Sequence, residues 1–329
     1  MNAFEYALPE NLSEALQFLE HPKTELKAGG LDLLDLMKEG IASPERLVNI
    51  RSLPELKFLK ESEGDLLLGP NLTLAEIADD KKIQDNYRAL AQAAGGAATP
   101  QIRNIATLGG NLCQRPRCWY FRNQEFSCLR KHGTRCFALE GENQYHAIFD
   151  TNQGCVIVHP SAMAVALIAS HAQIQITSSK GSRSIPLEQF FISPSKNITK
   201  ETVLRDNEII TEIKVPSMTS GWKTFYHKEK AKQSFDWPIA EVAVALKMDG
   251  DFCREASVVL GAAAPTPWRA TPAEQILKNK IITRELARTS AEETLKLAKP
   301  LSQNAYKIRV FKAIIFRTLC WTAGINPFE

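Results

Sequence analysis

Two hydrophobic periods alternate along this chain. "FEYALPENLSEALQFLEH" opens as a short strand, then places apolar residues every three or four positions behind a capping region at Asn11 to Ser13. "TELKAGGLDLLDLMKEG" reads as strand, glycine turn and a helix from about Asp32 to Lys38. "LTLAEIAD" and "QDNYRALAQAAGG" have helical spacing, with Leu72 and Thr73 leading into the first. "TPQIRNIATLGGN" follows as a connecting stretch with turn-forming Gly109 and Gly110. Further on, "CVIVHP" predicts a buried strand and "SAMAVALIASHA" a helix. "QIQITSSKGSRSI" predicts a hairpin turning at Lys180 and Gly181, and "NEIITEIKVP" a strand that Pro216 ends. Beyond "SMTSGW" (217–222), "PIAEVAVALKMDGDFCREASVVLGAAA" predicts a hairpin turning at Asp249 and Gly250, followed by helices. Both halves mix strands and helices. The expected class is α+β, with a domain boundary near residue 218.

Length agrees with that division, because 329 residues exceed one ordinary core and suggest two domains. With 44% hydrophobic and 23% charged residues the composition is globular. No run approaches the roughly 18 apolar residues of a membrane span. The start, "MNAFEYALPENLSEAL", has neither a basic nor an apolar leader region, so a cytoplasmic chain is expected, or a periplasmic one exported with a signal-bearing partner. The net charge of +3 excludes little. Its local distribution says more: Arg115, Arg117, Arg122, Arg130, Lys131 and Arg135 all fall within one cysteine-rich segment.

Two glycine pairs are the first candidate chemistry. In "KAGGLDLL", Lys27 to Leu34, a strand ends, Gly29 and Gly30 turn the backbone, and a helix begins, an arrangement that offers free N–H groups to an anion. It is neither G-x-G-x-x-G nor a Walker loop. "ATLGGN" repeats the device, with the Thr107 hydroxyl, the backbone of Gly109 and Gly110, and the Asn111 amide. Two such turns predict a grip on the two phosphates of a dinucleotide, against the alternative of two unrelated turns.

The cysteines are the second. Cys113, Cys118, Cys128, Cys136 and Cys155 form no C-x-x-C pair, which argues against zinc ribbons and thioredoxin-like motifs. Irregular spacing fits a loop wrapped around an object with its own geometry, such as an iron–sulfur cluster whose negative charge the arginines and nearby amides would balance. Zinc, core packing and a nucleic-acid surface remain alternatives, and five cysteines for four places leave one spare.

The segments "AGGLDLLDLMK", "TPQIRNIATLGGNL", "CWYFR", "YHAIF", "VHPSAMAVAL" and "EIITEIKVP" together resemble the FAD-binding subunits of molybdenum hydroxylases, essentially over the whole chain. That resemblance implies a PCMH-type (vanillyl-alcohol-oxidase-like) FAD-binding domain of two subdomains over 1–218, followed by a C-terminal α/β domain of the CO-dehydrogenase flavoprotein type over 219–329. It implies FAD contacts from Lys27, Ala28, Gly29, Gly30, Leu31, Asp32, Leu33 and Leu34, and from Thr107, Gly109, Gly110 and Asn111. Ile210 is similar to an apolar position beside the isoalloxazine, and Lys228, in "FYHKEK", to an FAD-contacting lysine. The insertion at about 112–156 is similar to that of the subgroup whose FAD subunit also holds a [4Fe–4S] cluster, above all the periplasmic aldehyde oxidoreductase type. "QRPRCWYFR" and intervals of ten, eight and nineteen residues carry that likeness. It implies Cys118, Cys128, Cys136 and Cys155 as ligands, Cys113 as the spare, and no role for Cys253 or Cys320. One position departs: where the family has "HPSD", this chain has "HPSA", so Ala162 replaces an FAD-contacting carboxylate, with His159 and Ser161 as possible substitutes.

The implied function is electron transfer with no acid–base or nucleophilic residue of its own. Electrons from a molybdenum-cofactor large subunit and a [2Fe–2S] small subunit would reach FAD here and leave to an external acceptor. A standalone flavoprotein oxidase and a zinc-binding non-enzymatic module are the competing classes.

Overall fold

The computed structural model describes residues 1–152 and 154–329. The chain begins with β1 (Glu5–Ala7), α1 (Leu12–Phe18), β2 (Thr24–Lys27), α2 (Leu33–Lys38) and β3 (Arg46–Asn49). The strands form a parallel sheet in the order β1-β3-β2. Asn11 starts α1 by accepting the Glu14 N–H at 2.9 Å, the capping chemistry the sequence predicts. Ala15 and Leu16 of α1 then pack with Val48 and Ile50.

Next come β4 (Leu59–Ser62), β5 (Asp65–Leu68), α3 (Leu74–Asp79), α4 (Lys81–Asn86), α5 (Arg88–Gly96), α6 (Pro100–Arg103), α7 (Leu108–Leu112), α8 (Trp119–Arg122), α9 (Ala162–Ala169), β6 (Gln173–Ser178), β7 (Gly181–Pro186) and β8 (Ile209–Val215). The strands form an antiparallel sheet, β4-β5-β8-β6-β7. Thr73 and Glu76 close a reciprocal capping box on α3.

Three expectations change here. "QDNYRALAQAAGG" is two helices, broken at Tyr87 (φ −130°, ψ 48°). "TPQIRNIATLGGN" is two short helices, each begun by a threonine: Thr99 accepts from Ile102 N–H at 3.3 Å and Thr107 from Gly110 N–H at 3.2 Å. "CVIVHP" is buried but joins no sheet. Its backbone is satisfied singly, with Val156 O accepting from Ala147 N–H at 2.9 Å and His159 N–H donating to Ala264 O at 2.9 Å. An apolar run reports burial, and burial alone does not make a ladder.

The chain ends with β9 (Trp222–Lys230), β10 (Pro238–Asp249), β11 (Phe252–Gly261), β12 (Trp268–Arg269), α10 (Thr271–Leu277), β13 (Lys280–Ile281), α11 (Arg284–Leu295) and α12 (Tyr306–Ala323). Its sheet runs β12-β11-β10-β9, with β13 also paired to β11. Alternation along β10 divides its side chains between two cores. Val242, Val244 and Leu246 pack with Phe311, Ile314 and Leu319 of α12. Ala243 instead joins Val259 and all eight residues of α9. Helix α9 is apolar on every side because it lies in the core that the second and third sheets share. Among the described residues, no helix is long and apolar enough to cross a membrane.

The start of α12 also fastens the end of the cysteine-rich segment. Lys307 is fully buried, and its Nζ donates to the carbonyls of Tyr145 (3.3 Å), His146 (2.9 Å) and Ala262 (2.7 Å). Asn304 Nδ2 donates to His146 O at 3.1 Å and Ala147 O at 3.0 Å. Burial pulls the Lys307 ammonium down to about 7, with Glu241 opposing. The unfolded chain keeps that proton up to the ordinary lysine value of 10.5, so between the two values it binds more protons than the folded chain and stability rises with pH. Urea unfolding at pH 7 and pH 9 should show that rise in the native chain and a smaller one in Lys307→Met. A rise undiminished in the variant would assign it to another group.

Candidate cofactor sites

The structure brings the two glycine segments together. Gly29 follows β2 and lies against residues 105–106, so that an added Cβ would stand 2.4 Å from Ile105 O. Gly30 holds φ +79°, the left-handed region where glycine is favoured. Among the described residues, the amides of Gly29, Gly30, Leu31 and Asp32 donate to no protein acceptor, so successive N–H groups are available to an anion. Of the rest of that segment, Lys27 carries its Nζ 5.9 Å from the centre of the Tyr6 ring. Ala28 packs on the core of the first sheet, Leu31 is exposed, and Leu33 and Leu34 open α2 half-buried.

The second segment differs from its sequence reading. Gly109 and Gly110 lie inside α7 rather than in a turn, and their amides are already bonded: Gly109 N–H to Pro70 O at 2.8 Å, Gly110 N–H to Thr107 Oγ1 at 3.2 Å. Gly109 is small because an added Cβ would stand 2.9 Å from Pro70 Cβ. This segment therefore supports the first by close packing and presents side chains rather than amides. Asn111 Oδ1 accepts from Ser161 Oγ at 2.6 Å, and Ser161 Oγ in turn accepts from Ala164 N–H at 3.0 Å as the cap of α9. Ser161 is thus tied to Asn111, while Ala162 beside it is buried in the shared core. His159 is a core residue: it rests edge-on against Phe191, and burial lowers its imidazole to about 3.

Ile210, on β8, is buried opposite Ile176 in the core that also holds Leu108 and Leu112 of α7. Lys228, on β9, donates to Gly96 O at 3.1 Å and faces Glu241 across the strand pair. Burial lowers its ammonium below the ordinary value, with Glu241 opposing. Among the described residues, Lys228 makes no hydrogen bond or ion pair with either glycine segment.

Four thiols line one cavity. Cys118, Cys128, Cys136 and Cys155 surround it with Phe121, Arg130 and His146, whereas Cys113 lies elsewhere, against the core beneath α7. Burial pushes the Cys113 thiol up to about 12. Burial also pushes Cys118 up to about 11, against backbone N–H groups of Phe121 and Tyr120 that favour its thiolate. Cys155 goes the other way, because its neighbour Cys136, the Arg130 guanidinium and the Ile157 amide all favour its thiolate. Arg130 Nε stands 3.3 Å from Cys155 Sγ, and His146 Nε2 stands 3.3 Å from Cys118 Sγ. The cavity between them has a volume of about 20 Å³, on the scale of one water. Among the described residues, no three His, Cys, Asp or Glu side chains meet at a point that would hold a single metal ion. Donor set, backbone amides and a buried cation all suit an anionic iron–sulfur group.

The arginines mostly serve another purpose than the sequence suggests. Among the described residues, Arg130 is the one arginine of this segment that reaches a thiol. Arg117 and Arg122 pair with Asp32 at 2.9 and 2.6 Å, Arg122 also with Asp35 at 2.9 Å, and Arg115 with Glu201 at 3.0 Å. The Asp32 carboxylate is therefore committed to the cysteine-rich segment. Arg135 stacks on Phe137, 4.4 Å from its centre. Sequence reasoning missed Glu201, Asn304 and Lys307, which lie in segments without any motif. His146 stood in a segment already marked by resemblance, "YHAIF", and its neighbour Cys118 was the available signal.

Known proteins share both halves of this fold. The family described as "FAD binding domain in molybdopterin dehydrogenase" matches residues 2–218, and "CO dehydrogenase flavoprotein C-terminal domain" matches residues 225–322. The chain is 31% identical to the aldehyde oxidoreductase FAD-binding subunit PaoB of Escherichia coli K12, over 97% of this chain and 98% of that one. It is 28% identical to the carbon monoxide dehydrogenase medium chain of Hydrogenophaga pseudoflava, over 90% of this chain and 88% of that one. A solved carbon monoxide dehydrogenase from H. pseudoflava superposes with a TM-score of 0.77 at 25% identity, over 98% of each chain.

The close approach at Gly29 gives a paired test. Gly29→Ala should cost about 1–3 kcal/mol in urea unfolding, because the Ile105 carbonyl has to move. Gly95→Ala, inside α5 with 3.6 Å to Ala78 Cβ, should be neutral or stabilise by about 0.5–1 kcal/mol. Equal effects at both positions would remove the constraint argued for Gly29.

Proposed function

Because the chain belongs to the FAD-binding medium subunits of the molybdenum hydroxylase family, we propose that it is the FAD- and [4Fe–4S]-binding electron-transfer subunit of a heteromeric enzyme. Its partners in this reading are a molybdenum-cofactor large subunit and a [2Fe–2S] small subunit, with electrons leaving to an external acceptor. Residues 1–218 form the FAD-binding domain and 219–329 the C-terminal domain. An enzyme of the aldehyde oxidoreductase type fits the likeness to PaoB.

The observation that carries the cluster assignment is the convergence of four thiols from four separate stretches on one cavity, with the fifth outside it. A zinc ion would want its donors around one point at about 2.0–2.3 Å. Thiols standing around a cavity instead suit a cluster that brings its own iron and sulfide. Cys118, Cys128, Cys136 and Cys155 would hold it, and the Arg130 guanidinium would balance its negative charge.

For FAD, the unpaired amides of Gly29 to Asp32 would bind the pyrophosphate, and Thr107, Gly109, Gly110 and Asn111 would hold that loop in place. Lys27, Ala28, Leu31, Leu33 and Leu34 flank the contact, Ile210 lies on the isoalloxazine side, and Lys228 supplies a further FAD contact. Ser161 holds Asn111 in orientation without supplying the charge that an aspartate at position 162 would bring. When bound, FAD supplies the redox chemistry, and the residues described here bind and orient it.

Anaerobic purification followed by iron, sulfide, zinc and flavin analysis tests both assignments. FAD with about four irons per chain is expected. Cys118→Ser should lose the iron and keep the flavin, whereas Cys113→Ser should keep both. Flavin without iron sinks the cluster, and zinc in place of iron returns the site to the metal-module class.

A further inference from the structure

An unbroken chain of short contacts joins the thiol cavity to the glycine loop, and Glu201 is its centre. Arg130, with 1% of its side chain exposed, has Nε 3.3 Å from Cys155 Sγ and Nη1 2.6 Å from Glu201 Oε1. The same Oε1 accepts from Arg115 Nη2 at 3.0 Å, and Oε2 accepts from Arg115 Nε at 3.0 Å. The Arg115 backbone N–H then donates to Asp32 Oδ2 at 2.8 Å. Asp32 is two residues beyond Gly30 and belongs to the run of unpaired amides. Arg122 fixes Asp32 from the other oxygen while also donating to Arg115 O at 2.9 Å.

We infer that Glu201 is a positioning residue that couples the two sites, so that filling the thiol cavity tightens FAD binding at the glycine loop. The inference rests on the assignment of both sites above. Its physical basis is competition for one buried cation. Arg130 has two partners in contact, the Cys155 sulfur and the Glu201 carboxylate. A negatively charged cluster in the cavity would add to the pull on Arg130 from the thiol side, whereas without that charge Glu201 makes the closer contact, 2.6 Å against 3.3 Å. Glu201 grips Arg115 with both oxygens, so a change in how it shares Arg130 reaches Arg115, whose amide anchors Asp32. Glu201 itself touches neither proposed cofactor and acts only through the two arginines.

Linkage makes the coupling reciprocal and measurable. The full chain is prepared iron-loaded and iron-stripped, freed of flavin, and titrated with FAD while flavin fluorescence is followed. The native chain should bind FAD about fivefold or more tightly when loaded, the lower end of ordinary coupling between sites. In Glu201→Gln, which keeps the size but not the charge, that ratio should fall to about one. Arg115→Lys, which retains the cation but not the two-pronged grip, should also lower it and stands in if Glu201→Gln does not fold. If stripping unfolds the native chain, Cys118→Ser replaces the stripped state, because it spares Cys155 and Arg130. An undiminished ratio in the Glu201 variant overturns the inference, as does a ratio of one in the native chain. Iron analysis of the loaded protein separates the two levels. Iron present with no coupling sinks the role of Glu201 alone, while absence of iron sinks the cluster and this inference together.

Discussion

A guanidinium keeps its proton at any physiological pH, so a fold that buries one must also bring it an anion. The cysteine-rich segment carries four arginines in this position, and none of the carboxylates that answer them is local. Asp32 and Asp35 come from 83–90 residues earlier in the chain, and Glu201 from 71–86 residues later. Those pairings place the insertion between α2 and the approach to β8, and they hold the thiols in a fixed relation to the glycine loop. An isolated surface ion pair is worth little. Here the gain is in position, because removing one partner would leave charge stranded in a half-dry interior.

What was legible in the sequence follows from how local each cause is. Asn11, the Thr73–Glu76 box and the two hairpins act within a few residues, and the predicted elements stand where those residues put them. The four cavity thiols and the excluded Cys113 were legible only because spacing and resemblance coincided. "CVIVHP" failed because its hydrogen-bond partners, residues 147 and 264, are in no sense predictable from its own apolar run. The glycines of α7 failed for a related reason. A glycine pair signals that something comes close, and at Gly109 that neighbour includes Pro70 of the chain itself.

The substitution at position 162 also makes sense in this frame. Helix α9 is buried on all sides between two sheets, so the side chain at its first position faces a choice between core and ligand. Alanine fills the core and leaves polar contact to Ser161, which caps the helix and orients Asn111 with one hydroxyl. Orientation is retained there without a buried negative charge.

Finally, the fastening of the cysteine-rich segment by α12 has a meaning in time as well as in space. Its contacts join residues 143–147 to residues 302–307, separations of 157–162 positions. A ribosome adding about 5–20 residues per second takes on the order of ten seconds to travel that far. Throughout that interval the carbonyls of Tyr145 and His146 await their lysine, and the wall that ends in His146 stays unfastened. Helix α12 is therefore a latch on a chamber whose four thiols are all made long before it.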